Sequence, residues 1–239
     1  MKIALLGYGK MGKEIETIAK EHGHEIFLKI TSANPADLII DNLKKVDVAI
    51  EFSRPEFALR NISLCLDAET PVVVGTTGWY AEMQKVRDES AAKNGAIVFA
   101  SNFSTGVNIF FLLNEYLSKL MSKRKEYAAS IDEMHHLQKL DKPSGTAITL
   151  ANDILKGNKN YKQWSLEKDD ENLHIDSIRQ EGVTGTHTVS YQSEVDFIEI
   201  KHHANNRKGF AMGAVAAAEW IAGRKGFYEF KDVIAEGLK

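Results

Sequence analysis

The segment Ile3-Ala4-Leu5-Leu6-Gly7-Tyr8-Gly9-Lys10-Met11-Gly12 sets three glycines in a Gly-x-Gly-x-x-Gly spacing directly after a short apolar run. The apolar run predicts a buried strand, and the residues that follow predict a helix ending at Gly23. In this context the first glycine allows a tight turn, the second lets backbone approach a pyrophosphate, and the third lets helix and strand pack closely. A turn that needs only positive φ angles is the alternative. The strand–helix context favours a dinucleotide site, with the phosphates at the helix start.

The alternation of strand and helix continues through the first hundred residues. β-branched runs predict further strands at residues 25–30, 46–52, 71–75 and 96–100. Helical patterns lie between them, notably at residues 55–67, which begin with a proline, and at 79–93. Alternation at this spacing predicts a parallel sheet that is covered by helices on both faces.

The pattern changes after residue 105. A long amphipathic helix is predicted at 105–122, with apolar residues at helical spacing: Ile109, Leu112, Leu113, Tyr116, Leu117 and Leu120. The elements predicted after it are a strand at 128–134, a helix at 144–155, a charged surface loop at 158–172, a strand-rich region at 175–203 and an alanine-rich helix at 210–222. Alternation within the strand-rich region suits an antiparallel or mixed sheet with one covered face.

These patterns together predict an α/β fold with two domains. Residues 1–106 and 207–239 are assigned to an N-terminal Rossmann-type parallel-sheet domain that binds dinucleotide, to which the C-terminal helix returns. Residues 107–206 are assigned to a smaller α+β domain.

The composition argues against several classes of protein. A net charge of -3 and a pI near 6.3 give no reason to expect a nucleic-acid surface. The single cysteine, Cys65, rules out an intramolecular disulfide framework and fits a reducing compartment. The longest apolar stretch, residues 210–218, is too short to cross a bilayer, and the first residues predict a strand rather than a signal peptide. We therefore expect a cytoplasmic protein with neither a nucleic-acid nor a membrane partner.

The end of the second predicted strand bears on the choice of cofactor. An acid is expected there to accept hydrogen bonds from the adenosine ribose, but Thr31 stands about where it belongs. Without that carboxylate a 2′-phosphate is not repelled, and Lys29 or Ser32 can contact it, unless Lys29 is simply solvated. The expected cofactor is NADPH or NADH, with a lean toward NADPH or dual use.

Residues 132–147, DEMHHLQKLDKPSGTA, carry the densest set of reactive groups. A predicted strand runs into a loop with two histidines and two lysines, and the loop runs into a helix starting at Ser144. The first-turn amides of Gly145 and Thr146 would form an anion site, to which Lys139 adds a full charge. With a histidine nearby, this arrangement suits a carboxylate substrate that needs proton transfer. A capped helix after a polar loop with surface histidines fits these residues equally well.

Further short motifs are spread along nearly the whole chain: GTTGW at 75–79, SNFSTGVN at 101–108, GTH at 185–187, HANNR at 203–207 and FAMGA at 210–214. With the glycine turn and the block from Glu133 to Ala147, they make the chain resemble the 4-hydroxy-tetrahydrodipicolinate (dihydrodipicolinate) reductases. The histidine-lysine-PSGTA block is highly specific. The resemblance implies a Rossmann domain completed by the C-terminal segment, and a central domain that binds substrate and builds a homotetramer.

The resemblance also implies roles for individual residues. His135 is the acid/base residue, Lys139 is the proton donor and carboxylate partner, and His136 contacts substrate. The helix start contributes further substrate contacts through Ser144, Gly145 and Thr146. The cofactor-binding residues expected from the motif and the resemblance are Gly7, Tyr8, Gly9, Lys10, Met11, Gly12, Thr31, Gly75, Thr76, Thr77, Ala100, Ser101, Asn102 and Phe103.

The implied substrate is (2S,4S)-4-hydroxy-2,3,4,5-tetrahydrodipicolinate, a cyclic dicarboxylate. It loses water and accepts hydride from the nicotinamide, giving tetrahydrodipicolinate in the diaminopimelate pathway to lysine. The chain departs from the common family pattern at Thr186, where an acid is frequent, and at Lys142, where a small residue is common. Its glycine turn is also one residue shorter. None of these departures touches His135 or Lys139.

Three other interpretations are weaker. A metal site is not expected, because adjacent histidines such as His135-His136 or His202-His203 usually point apart and one cysteine forms no thiolate cluster. A semialdehyde dehydrogenase needs a cysteine nucleophile, but Cys65 lies mid-helix among apolar neighbours. A non-catalytic NAD-binding sensor would bind dinucleotide but would not need the histidine-lysine loop.

Overall fold

The computed structural model describes residues 1–236 and divides into two compact units. The first unit comprises residues 1–105 together with the C-terminal segment that starts at Lys208, and the second comprises residues 106–207. The last three residues of the predicted segment 207–239, numbers 237–239, lie outside the described part of the chain.

The described residues form eleven strands and eight α-helices. The strands are β1 (Lys2–Leu6), β2 (Glu25–Ile30), β3 (Val48–Glu51), β4 (Val72–Val74), β5 (Ala96–Phe99), β6 (Ala128–His135), β7 (Trp164–Ser165), β8 (Leu173–Arg179), β9 (Thr186–Gln192), β10 (Phe197–His203) and β11 (Gly226–Glu229). The helices are α1 (Lys10–Glu21), α2 (Ile40–Leu43), α3 (Pro55–Asp67), α4 (Met83–Ala92), α5 (Thr105–Met121), α6 (Gly145–Gly157), α7 (Lys208–Ile221) and α8 (Phe230–Glu236). Of these helices, none is both long and apolar enough to span a bilayer.

A six-stranded sheet with the order β11-β5-β4-β3-β1-β2 forms the centre of the first unit. All of its neighbouring strands pair in parallel, as the strand–helix alternation predicts. Successive residues of β1 enter two different cores: Ile3 and Leu5 pack with α1 and α7, and Ala4 and Leu6 pack with α3. The sheet is therefore covered on both faces, and the strand order reverses at β1, where ligands bind in open sheets of this kind.

The C-terminal segment completes this sheet. β11 pairs in parallel with β5 at the edge, and α7 packs onto the sheet beside it. A Cβ atom at Gly213 of α7 would overlap the carbonyl oxygen of Phe103, so the helix lies directly on the chain that follows β5. The sequence predicts α7 but neither β11 nor α8. All four residues of β11 are half-buried, so the strand carries no alternating pattern.

The second unit contains a mixed sheet with the order β10-β9-β6-β8-β7. β6 pairs in parallel with β8 and antiparallel with β9, which confirms the predicted antiparallel or mixed sheet. His187, Val189 and Tyr191 alternate along the covered face of β9, where all three are buried. Residues of α5 and α6 complete the core on that face. The predicted loop at 158–172 is wrong in one respect, because it contains β7, which pairs with β8.

The structure also corrects the orientation of the long helix α5. The predicted apolar stripe includes four residues that are exposed: Ile109 at 44%, Leu113 at 52%, Tyr116 at 65% and Leu120 at 55%. The buried residues of α5 are instead Val107, Asn108, Phe110, Phe111, Asn114, Ser118 and Met121. The polar residues among them can be buried because they find partners; for example, the Asn114 amide donates to the carbonyl oxygen of Leu150 at 3.1 Å.

Candidate active site

The three glycines of the turn between β1 and α1 have two different roles: some allow close packing, and one borders open space. Gly7 has a φ of +97°, and a Cβ atom there would overlap the carbonyl oxygen of Phe52. A Cβ atom at Gly12 would lie 2.5 Å from the carbonyl oxygen of Gly7. At Gly9, in contrast, no atom lies within 4 Å of the Cβ position. Two glycines thus let the strand and helix meet, and the middle glycine leaves open space in front of the helix.

The first turn of α1 is suited to an anion. Gly9 is the N-cap and offers no side-chain cap, and no acidic residue lies in the first turn. The first amides of a helix have no partner within it, so those of Lys10, Met11 and Gly12 point toward this space. Backbone amides and an open Cβ position fit a dinucleotide pyrophosphate.

The other predicted cofactor residues follow neighbouring strands of the same sheet. Gly75, Thr76 and Thr77 follow β4, and residues 100–103 follow β5. Because the strands are parallel, their carboxyl ends lie along one edge, together with the glycine turn after β1. The sheet thus brings these predicted residues to one edge of the first unit.

Phe52, which the sequence analysis does not identify, contacts several of these segments. A Cβ atom at Gly75 would overlap its ring, and its carbonyl oxygen excludes a side chain at Gly7. The rings of Phe52 and Phe103 are 5.8 Å apart. Phe52 therefore sets the spacing between the turns after β1, β4 and β5.

The predicted residues along this edge differ in exposure. Thr77 and Ser101 are exposed and Asn102 is half-buried, whereas Ala100 and Phe103 are buried. Thr76 is also buried; its hydroxyl accepts the amide of Ser53 at 2.9 Å, and its carbonyl oxygen accepts the indole N–H of Trp79 at 2.8 Å. The exposed members can meet a ligand directly, and the buried ones fix the shape of the edge.

A buried carboxylate, Glu51, lies at the end of β3. It is fully buried, and its Oε1 accepts the amide of Ser53 and the side-chain amide of Asn61, each at 3.2 Å, as well as the hydroxyl of Ser53. Its Oε2 has no hydrogen-bond partner within residues 1–236. Glu51 holds the turn that contains Phe52 and Ser53, and its only signal in the sequence is a charge at the end of an apolar strand.

The end of β2 has no acidic ribose ligand, and its lysine is already paired. Both the amide and the hydroxyl of Thr31 donate to Oδ1 of Asn34, at 2.9 and 2.7 Å. Nζ of Lys29 lies 2.8 Å from Glu16 and 4.9 Å from the centre of the Tyr8 ring. Hydrogen bonds from Lys20, Lys29 and Tyr8 lower the pKa of Glu16 to about 2, and Glu16 raises the pKa of Lys29. Lys29 is thus neither simply solvated nor a free cation.

In the second unit, the predicted acid/base residue His135 ends β6 and is 8% exposed. Glu133, two residues earlier on the same face of the strand, is 1% exposed. Its Oε2 lies 3.3 Å from Nδ1 of His135, an ion-pair contact that is too poorly aligned for a hydrogen bond. The ring of His187 meets that of His135 edge-on at 4.9 Å, and a Cβ atom at Gly185 would lie 3.2 Å from the His135 ring. The imidazole is therefore enclosed on several sides.

Glu133 is the centre of a buried polar cluster. Its carboxylate accepts the amide of Ser144 at 3.0 Å and the hydroxyl of Ser177, and lies 3.4 Å from Nη1 of Arg179. Burial alone would raise the pKa of Glu133, but its contacts with His135 and His187 and the bonds from the two serines outweigh burial and hold that pKa well below the usual range. Glu133 therefore remains a carboxylate, and burial lowers the pKa of His187 beside it.

The start of α6 consists of a buried N-cap residue, Ser144, followed by the more exposed Gly145 and Thr146. Ser144 is the N-cap and is 2% exposed; its hydroxyl accepts the amide of Ala147 at 3.2 Å and lies 3.0 Å from Nε2 of His187. Gly145 is exposed, with no atom within 4 Å of its Cβ position, and Thr146 is half-buried. The predicted anion site thus consists of the amides after Ser144, whose own polar groups are already engaged.

A carboxylate of the chain itself already contacts this site. Nζ of Lys139 lies 2.9 Å from Asp141. The hydrogen bond from Lys139 lowers the pKa of Asp141 most, and the backbone amides of Asp141 and Gly145 lower it further. Lys139 is therefore paired with a carboxylate on the loop that leads to the start of α6.

Arg179, from β8, holds the loop that carries Lys139. Its Nε donates to the carbonyl oxygen of Lys139 at 3.3 Å, and its Nη2 donates to that of Asp141. Because Arg179 also contacts Glu133, it joins the loop to the buried cluster. His136 is half-buried on the same loop, and its Nδ1 has no hydrogen-bond partner in the described part of the chain. That nitrogen is itself buried, so the accessible part of His136 is the rest of its ring.

The structure thus gathers all the predicted substrate and acid/base residues between the end of β6 and the first turn of α6. Four residues of this cluster were missed: Glu133, Ser177, Arg179 and His187. Glu133 lies within the quoted stretch 132–147 and His187 ends the quoted block GTH, which is the signal that could have identified them. Ser177 and Arg179 lie in no quoted block.

Both units match models of one protein family. The model described as "Dihydrodipicolinate reductase, N-terminus" matches residues 1–103, and the one described as "Dihydrodipicolinate reductase, C-terminus" matches residues 106–234. The chain is 47% identical over 242 residues to a 4-hydroxy-tetrahydrodipicolinate reductase of Christiangramia forsetii. It is 37% identical over 240 residues to one of Thermosipho africanus, and both alignments cover 100% of each chain.

A solved structure shares the fold. It is a dipicolinate-bound dihydrodipicolinate reductase from Paenisporosarcina sp. TG-14, with a TM-score of 0.80 and 23% sequence identity. The match covers 98% of this chain and 99% of that one.

Proposed function

This chain belongs to the dihydrodipicolinate reductase family and is a pyridine-nucleotide-dependent oxidoreductase of lysine and diaminopimelate biosynthesis; we propose how its residues act. The substrate is 4-hydroxy-tetrahydrodipicolinate, and the product, formed after loss of water and hydride transfer, is tetrahydrodipicolinate. One observation carries the assignment of the site: Lys139, paired with the carboxylate of Asp141, lies on the loop that joins the buried His135 to the exposed first turn of α6.

The first unit binds the dinucleotide. The open space at Gly9 and the first-turn amides of α1 support binding of the pyrophosphate there. Thr77 and Ser101, exposed at the same sheet edge, would contact the nicotinamide half. When bound, the nicotinamide supplies the hydride, and the chain contributes binding and orientation.

The second unit binds the cyclic dicarboxylate. One substrate carboxylate replaces Asp141 on Lys139 and on the amides of Gly145 and Thr146. A charged donor and helix-start amides make strong hydrogen bonds to such a group. The half-buried ring of His136, on the same loop as Lys139, is a further contact for the bound substrate. Ser144 supports this site rather than touching the substrate, because its amide and hydroxyl are engaged.

His135 acts as the acid/base residue and Lys139 as the proton donor. The Glu133 carboxylate lies 3.3 Å from Nδ1 of His135 and holds the ring in place for proton transfer. Positioned general acid–base groups contribute typically about 10²–10⁴ in rate. Glu133 is a positioning residue, since it also fixes Ser144 and, through Arg179, the loop of Lys139.

The chain uses both cofactors, with a lean toward NADPH. The absence of an acid at Thr31 supports acceptance of a 2′-phosphate. The pairing of Lys29 with Glu16 limits the preference, because this lysine is already neutralised. The ratio of kcat/KM for NADPH and NADH tests this.

The protein assembles as a homotetramer in the cytoplasm, through the second unit. Ile109, Leu113, Tyr116 and Leu120 leave one face of α5 apolar and exposed. On the edge strand β10, Phe197 is 68% exposed. Exposed apolar patches of this kind mark interfaces. Light scattering on the wild type and on a Tyr116→Glu, Leu120→Glu variant tests this, with dissociation expected for the variant.

A coupled assay tests the function. Pyruvate and aspartate semialdehyde are condensed enzymatically to supply the heterocycle, and oxidation of NADPH or NADH is followed by absorbance. Oxidation that requires the heterocycle is expected, and His135→Gln should lose most of kcat while it still binds dinucleotide. Binding of dinucleotide with no oxidation by the wild type would instead support a sensor. Near-normal turnover by His135→Gln would refute the role of that residue.

A further inference from the structure

A cluster of metal-ligating side chains lies in the first unit, apart from the residues assigned above. His22 is the C-cap of α1, His24 precedes β2, and Glu219 lies on α7. Nδ1 of His22 and Nε2 of His24 lie 2.9 and 2.8 Å from the same oxygen of Glu219. One candidate ligand atom from each side chain lies within 4.8 Å of the other two.

The turn that carries the two histidines is well defined. Gly23 has a φ of +79°, which reverses the chain between them. The amide of His22 donates to the carbonyl oxygen of Ile18, that of Gly23 to Lys20, and that of His24 to Ala19, at 2.9–3.0 Å. The other nitrogen of the His24 ring, Nδ1, lies 3.5 Å from the amino nitrogen of Met1. The backbone therefore fixes where the two histidines leave the chain, and their contacts with Glu219 orient the imidazoles.

The third ligand is supplied by packing within the same unit. α1 and α7 share one core, in which Ile15, Ile18 and Ala19 meet Ala214, Ala218 and Ile221. Glu219 lies beside the last two on α7, so this core sets its distance from the turn.

Two imidazole nitrogens and a carboxylate oxygen are a ligand set that Zn²⁺ accepts, at about 2.0–2.2 Å from each atom, with a fourth position for water. Reaching such distances needs only small rotations, because the three atoms already converge. The side chains of His22 and Glu219 are 42% and 38% exposed, so an ion can enter, and that of His24 is 12% exposed.

The other group of three possible ligands, Glu133, His135 and His187, is a poorer candidate. The Glu133 carboxylate already accepts hydrogen bonds from Ser144 and Ser177, and the guanidinium of Arg179 lies beside it. A cation there would have to displace these donors and would be repelled by Arg179.

We propose that His22, His24 and Glu219 bind a divalent transition metal ion, Zn²⁺ being the probe of choice. Both histidines bind as neutral imidazoles, each through the nitrogen that faces Glu219. The ion fastens α7 to the turn between α1 and β2, and so ties the C-terminal segment to the start of the sheet. It acts on the stability of the first unit, since none of its ligands belongs to the proposed substrate or cofactor contacts.

Calorimetric titration of the purified full-length protein with ZnCl₂ tests this, with thermal unfolding measured in parallel. One equivalent of Zn²⁺ should bind and raise Tm, because a ligand that binds only the folded state stabilises it. Glu219→Gln and the double variant His22→Asn, His24→Asn should lose this site, with affinity falling by about tenfold or more. Glu21→Gln, an exposed acid at the end of α1, is the matched control and should bind like the wild type.

Each outcome of the titration decides the question. Circular dichroism of the metal-free variants establishes that they are folded, and reductase activity without added metal should be unchanged in Glu219→Gln. Equal Zn²⁺ affinity in the wild type, Glu219→Gln and the double variant would overturn the proposal. So would a wild type that shows neither heat of binding nor a change in Tm.

Discussion

The glycine-turn edge of the first unit and the Glu133 cluster of the second are built by different means. At the glycine turn, backbone sterics dominate: Gly7 and Gly12 allow close contacts, and Gly9 leaves open space. Around Glu133, four side chains from β6, β8 and β9 and one backbone amide before α6 surround one buried carboxylate. The first kind of site recognises a ligand with amides and shape, and the second holds charges in place for proton transfer.

This difference affects how each site responds to substitution. A backbone site tolerates changes of side chain except where a new atom fills the required space. A site built on a buried charge depends on that charge, because each of its partners is satisfied through it. The following predictions test this contrast.

The largest effect is expected from Glu133→Ala, which should lower the free energy of unfolding by about 3–5 kcal/mol because it leaves a buried charge network broken. Urea denaturation at neutral pH measures this. Glu199→Ala, which removes an exposed acid from β10, is the control and should change stability by no more than about 0.5 kcal/mol. Equal losses in the two variants would show that Glu133 has no special role in the fold.

Gly12→Ala and Gly9→Ala should separate packing from access at the glycine turn. The first places a Cβ atom 2.5 Å from the carbonyl oxygen of Gly7 and should cost about 1–3 kcal/mol of stability. The second meets no atom within 4 Å, so stability should stay within about 0.5 kcal/mol. Dinucleotide affinity, measured by fluorescence titration, should nevertheless fall in Gly9→Ala. An unchanged affinity would place the pyrophosphate elsewhere.

The pH dependence of stability should differ between wild type and Glu133→Gln. The pKa of Glu133 is lowered in the folded state, relative to about 4.3 in an unfolded chain. Its contribution is therefore complete above that value and is lost as the pH falls below it, by up to about 1.4 kcal/mol per pH unit. Urea denaturation at several values between about pH 5 and 3 should show a smaller loss of unfolding free energy in Glu133→Gln than in the wild type. Parallel profiles would contradict the lowered pKa.

The smallest effect concerns the cofactor. Glu16→Gln should free Lys29 and shift the kcat/KM ratio toward NADPH by about two- to fivefold, the scale of a partly exposed ion pair. Glu14→Gln, on the same helix, is the control. A ratio that is the same in both variants would mean that Lys29 lies away from the 2′ position.

Sequence reasoning succeeded where the determinants are local. The glycine spacing, β1 and α1 are adjacent in the chain, and the predicted strands of the first unit lie within two residues of the observed ones. It failed where partners are distant in the chain. Ser177 and Arg179 reach Glu133 across 44 and 46 residues, and no short motif encodes that contact.

The orientation of α5 shows a further limit. This helix is apolar around most of its circumference, so periodicity alone cannot select the face that the single chain buries. The buried face includes Asn114 and Ser118, whose side chains donate to the carbonyl oxygens of Leu150 and Glu115. The exposed face of Ile109, Leu113, Tyr116 and Leu120 is the one that we propose meets other copies of the chain.

The central claim is that dinucleotide binding and proton transfer depend on separate residues, and one crossed measurement tests it. Dinucleotide affinity and kcat at saturating cofactor are determined for Gly9→Ala and His135→Gln together. We expect His135→Gln to lose about 10²–10⁴ in kcat with normal affinity, and Gly9→Ala to lose affinity with kcat largely kept. A His135→Gln enzyme with near-normal kcat, or with dinucleotide binding lost along with turnover, would contradict the account.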